Sequence, residues 1–234
     1  MNLISNFNKT KNKKYLQEFY NQESYKEELS IMTPKLKRKF RLILKLMNIK
    51  RGDKVLDVGC GPKQLKSFIE KLGGKYYGLD IGTRFNPDFV CDAEELSKIN
   101  MKFDWIIFAD ILEHIPHPEK AVEEAFKIGD KVIAVCPNLY RLNSLTFLPS
   151  HTNDKHIIKK TPFDWLKLFN KHKIIYTRGF FYCLSVAFWP KMGIIDMFFR
   201  TYPFLMISDF FDKYFSDKGI FKYLGQELII VARK

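Results

Sequence analysis

Two hydrophobic periods alternate along this chain, and the switch between them marks its organisation. In residues 35–48, KLKRKFRLILKLMN, the apolar positions Leu36, Phe40, Ile43, Leu44 and Met47 recur at helical spacing. One face of this stretch is therefore apolar and the other strongly basic, which predicts a helix covering the sheet that follows. From Asp53 the period shortens. KVLDVG (54–59) reads as a short buried strand. QLKSFIEKLGG (64–74) returns to helical spacing at Leu65, Phe68, Ile69 and Leu72 and stops at a glycine pair. KYYGLD (75–80) and DFVCDA (88–93) read as the second and third strands. FDWIIFAD (103–110) is apolar on both sides, as a central parallel strand should be.

HPEKAVEEAFKIG (117–129) is a predicted helix with Pro118 in its first turn and acids placed early, favourable against the helix dipole. DKVIAVCPN (130–138) is a fifth strand. TPFDWLKLFNKH (161–172) is a helix opening on a capping-box spacing of Thr161 and Asp164. KIIYTRGF (173–180) and QELIIVARK (226–234) are the sixth and seventh strands. Residues 1–32 are polar, with a helix expected around 15–29. Strands alternating with helices imply an α/β fold with a doubly wound, mostly parallel seven-stranded sheet. The expected organisation is a basic helical extension over 1–50 and a main domain over 51–234.

Residues 180–223 interrupt that rhythm. They hold far more aromatic mass than a connection needs, broken by Pro190, Asp196, Arg200 and Pro203 into short amphipathic pieces. Three readings stand: an extension of the core, a lid over an apolar acceptor, or a segment dipping into a membrane surface with help from the basic helix at 35–48.

Composition narrows the classes. The 234 residues suffice for a sizeable core, and 46% apolar content is globular rather than disordered. Net charge is +13, of which residues 1–54 carry +9, with 14 Lys and Arg against 5 Asp and Glu. A basic face of this kind suits nucleic acid, anionic lipid, an acidic glycan or plain solvent. The four cysteines are scattered without a Cys-x-x-Cys pair or a Cys/His cluster, which argues against structural zinc and a disulfide framework. No metal is expected, and a reducing cytoplasm is the expected home. The N-terminus lacks the apolar core of a secretory signal, and no run of 18 apolar residues occurs.

The chemistry gathers around VLDVGCGPKQL (55–65). A strand running into Gly59-x-Gly61 and then a helix lets backbone approach a ligand closely. Asp80, 19 positions after Gly61, ends the second strand where a carboxylate can accept hydrogen bonds from both hydroxyls of a ribose. These features suit any adenosine-containing cofactor. A dinucleotide fingerprint would place a third glycine at position 64, where this chain has Gln64, and Pro62 removes an N–H that a pyrophosphate would use. A nicotinamide-dependent oxidoreductase is therefore disfavoured, and an adenosine that carries an amino-acid tail in place of a pyrophosphate fits better.

VLDVGCGPKQL, GLD, CDAEEL and FDWIIFADILEHIPHPEKAVEEAFKI together resemble the successive motifs of class I S-adenosylmethionine (SAM)-dependent methyltransferases, with their Rossmann-like fold. The subgroup most resembled acts on small molecules, including quinone-pathway and cell-surface-glycan acceptors. The resemblance covers roughly residues 50–138, with the last strand also in keeping. It implies that Asp57, Gly59, Cys60 and Gly61 line the methionine end of SAM, that Asp80 and Ile81 hold the ribose, and that Asp92 and Ala93 flank the adenine. Asp110 is expected near the transferred methyl. Asp92 has a second reading, as the N-cap of AEEL.

His114 is the first candidate base, because a histidine titrates near neutrality; its alternative is to shape the loop. His151 and His156 are secondary candidates in a region that often carries a substrate-side histidine in related enzymes. The expected activity is methyl transfer to a small-molecule, glycan or lipid-linked acceptor, most readily at oxygen, leaving S-adenosylhomocysteine (SAH). Peripheral membrane contact is expected through 35–48 and 180–215. The alternatives are an RNA acceptor, disfavoured by ADIL where a base-N-methylating motif would stand, and a SAM-binding regulatory protein without catalysis.

Overall fold

The computed structural model describes residues 32–138, 160–180 and 227–234, together with Ile158, Tyr214, 217–223 and Gly225. Helix α1 (Pro34–Met47) precedes β1 (Lys54–Val58), α2 (Lys66–Lys71), β2 (Lys75–Asp80), β3 (Phe89–Val90) and β4 (Phe103–Ala109). Helix α3 (Pro118–Ile128), β5 (Gly129–Pro137), α4 (Pro162–Lys167), β6 (Lys173–Phe180) and β7 (Glu227–Arg233) complete the order. The seven strands form one sheet in the order β3-β2-β1-β4-β5-β7-β6. Neighbours from β3 through β5 pair in parallel, whereas β7 pairs antiparallel with both β5 and β6. β7 therefore begins at the edge where the other strands end: Glu227 stands opposite both Pro137 and Phe180, the last residues of β5 and β6.

The period of two along the strands divides the core in the way a doubly wound sheet requires. Leu56, Ile106, Phe108, Val132 and Ile230 face α3, packing with Ala121, Val122, Ala125, Phe126 and the α4 residue Trp165. Their neighbours Val55, Trp105, Ile107, Ile133 and Ile229 face the opposite side, where Phe40, Ile43 and Met47 of α1 and Ile69 of α2 cover them. Phe40 meets Phe68 edge-on with ring centres 6.4 Å apart, so α1 and α2 lie side by side. The 35–48 stretch thus folds as expected, with Thr33 capping its N-terminus by accepting from Leu36 N.

Three elements are shorter than their patterns. α2 begins at Lys66, because Lys63 sits at φ +55° and the preceding residues turn rather than coil into a helix. The third strand holds only Phe89 and Val90, since Asp92 leaves the ladder to cap the 3-10 turn of Ala93–Lys98. α4 stops at Lys167, although its capping box is complete: the Thr161 side chain accepts from Asp164 N, and Asp164 accepts from Thr161 N. The helix expected at 15–29, His151 and His156, and most of the 180–223 insertion lie outside the described residues.

Candidate functional site

The glycine turn after β1 is built by two different requirements. Gly59 has φ +73°, and a Cβ there would stand 2.7 Å from Ile111 Cδ1 and Cγ1, so the loop after β4 occupies that space. Gly61 has φ +45° and would direct a Cβ into open space, with nothing within 4 Å. The first glycine admits a protein side chain; the second leaves a backbone surface open beside the turn. Gly59 N and Cys60 N both donate to Leu79 O, at 2.8 and 3.0 Å, which ties the turn to the end of β2.

Asp80 closes β2 and organises both flanking loops. Its Oδ2 accepts from Gly61 N and its Oδ1 from Gly82 N, each at 3.0 Å. Burial pushes its pKa up, and the Gly82, Gly61 and Ile81 backbone amides oppose that rise. A carboxylate offers about four lone-pair sites, so three backbone amides still leave acceptor capacity for a ligand hydroxyl. Ile81 follows half-buried in the turn. Asp92 takes the capping role: its Oδ1 accepts from Glu94 N at 2.8 Å, placing Ala93 at the head of the 3-10 turn. Cys91 N donates to Asp80 O at 3.1 Å, joining this segment to the end of β2.

Asp57 lies deeper than its neighbours, 4% exposed, and its Oδ2 accepts from Tyr76 Oη at 2.9 Å. Burial raises its pKa to about 7, with the Tyr76 bond opposing and the Asp80 charge adding to the rise. The Cys60 thiol is likewise pushed up, by burial first and then by the charges of Asp57 and Asp80. Cys60 is thus a packed thiol rather than a nucleophile.

Beyond β4 lies a second cluster. Asp110 is in the left-handed region at φ +56°, where Asp is tolerated better than most residues. Lys39 Nζ of α1 donates to Asp110 Oδ2 and, at 2.9 Å, to Glu227 Oε1 at the start of β7. The Lys39 side chain is 4% exposed and that of Glu227 11%, whereas Asp110 is 38% exposed, so the cluster runs from a buried ammonium to a half-open carboxylate. Burial works against the Lys39 charge, but the two carboxylates outweigh it and hold its pKa above the usual lysine value. Glu113 is buried nearby, and its Oε2 meets no hydrogen-bond partner among the described residues. Burial, then the Asp110 charge, pushes its pKa well up, which favours the neutral acid.

His114 ends the 3-10 turn Leu112–His114, half-buried, with its backbone N donating to Ile111 O at 2.9 Å. His117 lies further out as the residue before α3, its backbone N held by Glu94 Oε1 at 3.0 Å. The structure brings Gly59, Cys60 and Gly61 of the turn together with Asp80 at the end of β2, joins Asp92 and Ala93 to that end through Cys91, and sets Ile111, the residue after Asp110, against Gly59. Sequence reasoning missed Lys39, Tyr76 and Glu227, while it placed Glu113 beside His114 just past the fourth strand without foreseeing its burial. Lys39 had a signal: it stands three residues after Leu36 and four before Ile43, on the apolar stripe of a helix. Among the described residues, no group of three or more His, Cys, Asp or Glu could hold a metal ion.

An open sheet with one reversed strand, a left-handed glycine turn after β1 and an acid closing β2 define a cofactor-binding α/β domain with its site at the carboxyl edge of the strands. The family model described as "Methyltransferase domain" matches residues 28–141. A ubiquinone biosynthesis O-methyltransferase of Coxiella burnetii is 31% identical over 87 residues, covering 31% of this chain and 37% of that relative. Of that relative's length, the chain therefore matches little more than a third. A SAM-dependent methyltransferase from Archaeoglobus fulgidus superposes with a TM-score of 0.61 at 18% identity, over 91% of this chain and all of that one. The magnesium protoporphyrin IX methyltransferase of Synechocystis PCC 6803 with bound SAM gives 0.55 at 13% identity, over 95% and 97% of the two chains. The chain thus carries a methyltransferase-domain match over just under half of its length and shares the fold of solved SAM-dependent methyltransferases.

Proposed function

We propose that this protein binds SAM at the carboxyl edge of β1, β2 and β4 and transfers its methyl group to a hydroxyl of a small-molecule acceptor. The observation that carries the reading is the pairing of Gly61, whose missing side chain leaves open space, with Asp80, whose carboxylate holds the Gly61 amide and retains acceptor capacity. In this reading Asp80 and Ile81 hold the ribose, while Asp92 and Ala93 lie beside the adenine. Gly59, Cys60 and Gly61 present backbone to the methionine end, with Asp57 beneath them and Asp110 beside the methyl. SAM supplies an electrophilic methyl on a sulfonium. The chain's own task is to orient an acceptor oxygen and take its proton, which we assign to His114 on the turn that follows Asp110. The O-methyltransferase relative supports oxygen as the nucleophile.

The acceptor extends in this reading to glycan or lipid-linked molecules. Lys37, Arg41 and Lys45 form an exposed stripe on α1 suited to an anionic surface. Among the described residues, no helix is long and apolar enough to cross a membrane. Cys60, Cys91 and Cys136 are free thiols, which supports a reducing cytoplasm.

Calorimetric titration with SAM, SAH and NAD tests the reading. Binding of the first two at micromolar affinity without NAD is expected. Asp80→Ala should weaken SAM binding at least about tenfold, as loss of a charge-assisted hydrogen bond does. A folded wild-type protein that ignores SAM would refute the assignment.

A further inference from the structure

The Lys39 cluster is costly for stability alone. A buried ion pair seldom outperforms apolar residues of the same volume, and Lys39 occupies a stripe position between Leu36 and Ile43 where such a residue would pack. Asp110 adds a left-handed backbone, a conformation that persists where surrounding structure over-determines it and that gathers at functional sites. The buried members, Lys39 and Glu227, lie behind the half-open Asp110. Glu113 adds a buried oxygen with no partner among the described residues. Three elements remote in sequence converge here: α1, the loop after β4 and the start of β7.

We propose that Lys39 is a positioning residue of the cofactor site, fixing the Asp110 carboxylate at the edge of the sheet so that α1 is a working part of that site. This rests on the reading that the glycine turn holds SAM. Lys39 itself is too buried to meet the ligand and acts through Asp110. Its two donated hydrogen bonds set both the direction of Asp110 and its charge balance with Glu227, and a neutral or mobile Asp110 would meet a cationic ligand less well.

The test is a binding cycle read by calorimetry with SAM. Lys39→Met could leave Glu227 buried and uncompensated, so it is paired with Glu227→Gln, which restores charge balance in the core while leaving Asp110 without its anchor. The double variant is expected to keep a cooperative melt and bind SAM about tenfold more weakly. Asp110→Asn should show a loss of similar size, and adding it to the double variant should cost little more, because both changes remove one interaction. Lys39→Arg should recover most of the affinity. A merely structural lysine would lower the melting temperature yet leave the affinity of the folded variants unchanged, or give losses that multiply with Asp110→Asn; either result overturns the inference alone. Absence of SAM binding by the wild type would remove the cofactor reading and this inference together.

Discussion

Asp57 shows how one buried residue records its surroundings. Its carboxyl would ionise near 3.8 in the unfolded chain and does so near 7 in the fold, because burial disfavours the charge. Between those values folding takes up a proton. The stability this contributes is complete below about pH 3.8 and is lost as pH rises through about 7, at roughly 1.4 kcal/mol per unit. Asp57→Asn removes the dependence. Melted without cofactor, the wild type should lose several degrees relative to the variant between pH 5 and pH 8. A melting difference that stays constant over that range would show that Asp57 ionises normally. The motif places an acid at 57, but its raised pKa depends on burial and the Asp80 charge, against the opposing Tyr76 hydrogen bond, and spacing along a chain encodes none of these.

Elements were legible wherever a local rule governed them. α3 opens at Pro118 and α4 carries its complete capping box, both read from residue type and offset alone. Thr161→Ala should therefore lower the melting temperature by about 2–4 °C, the cost of roughly 1 kcal/mol for a lost N-cap; no change would mean the box holds α4 without contributing to global stability. The early end of β3 was half legible, since capping AEEL was one of two readings of Asp92, whereas the late start of α2 was not, because the left-handed Lys63 is decided by a loop that packs against β2. The glycine turn belongs to this scale too. Its two glycines look alike in sequence, yet Gly59 makes room for Ile111 and Gly61 leaves its space open.

At the scale of the molecule, α1 is what joins the basic N-terminal stretch to the sheet. Phe40, Ile43 and Met47 are buried against Val55, Trp105 and Ile133, so this helix completes one face of the core. Met47→Ala, at a residue 1% exposed, should cost about 2–5 kcal/mol and be visible as a large drop in the chemical-denaturation midpoint. An unchanged midpoint would make α1 an appendage. The exposed stripe of Lys37, Arg41 and Lys45 follows from the same amphipathic pattern, since turning the apolar face inward leaves the basic one outside.

The doubly wound sheet, the glycine turn and the acid that closes β2 are all readable in the sequence, because each depends on a period or an offset within a few tens of residues. The junction of Lys39, Asp110 and Glu227 was not. Its members are separated by 71 and 188 positions along the chain. Pattern analysis sees a lysine in a basic helix and a glutamate opening a strand. They meet because β7 alone runs backwards, which brings its first residue to the carboxyl edge of the sheet, where α1 also begins. Contacts within an element follow from local sequence, whereas contacts between elements follow from strand order and direction, which a local pattern does not carry.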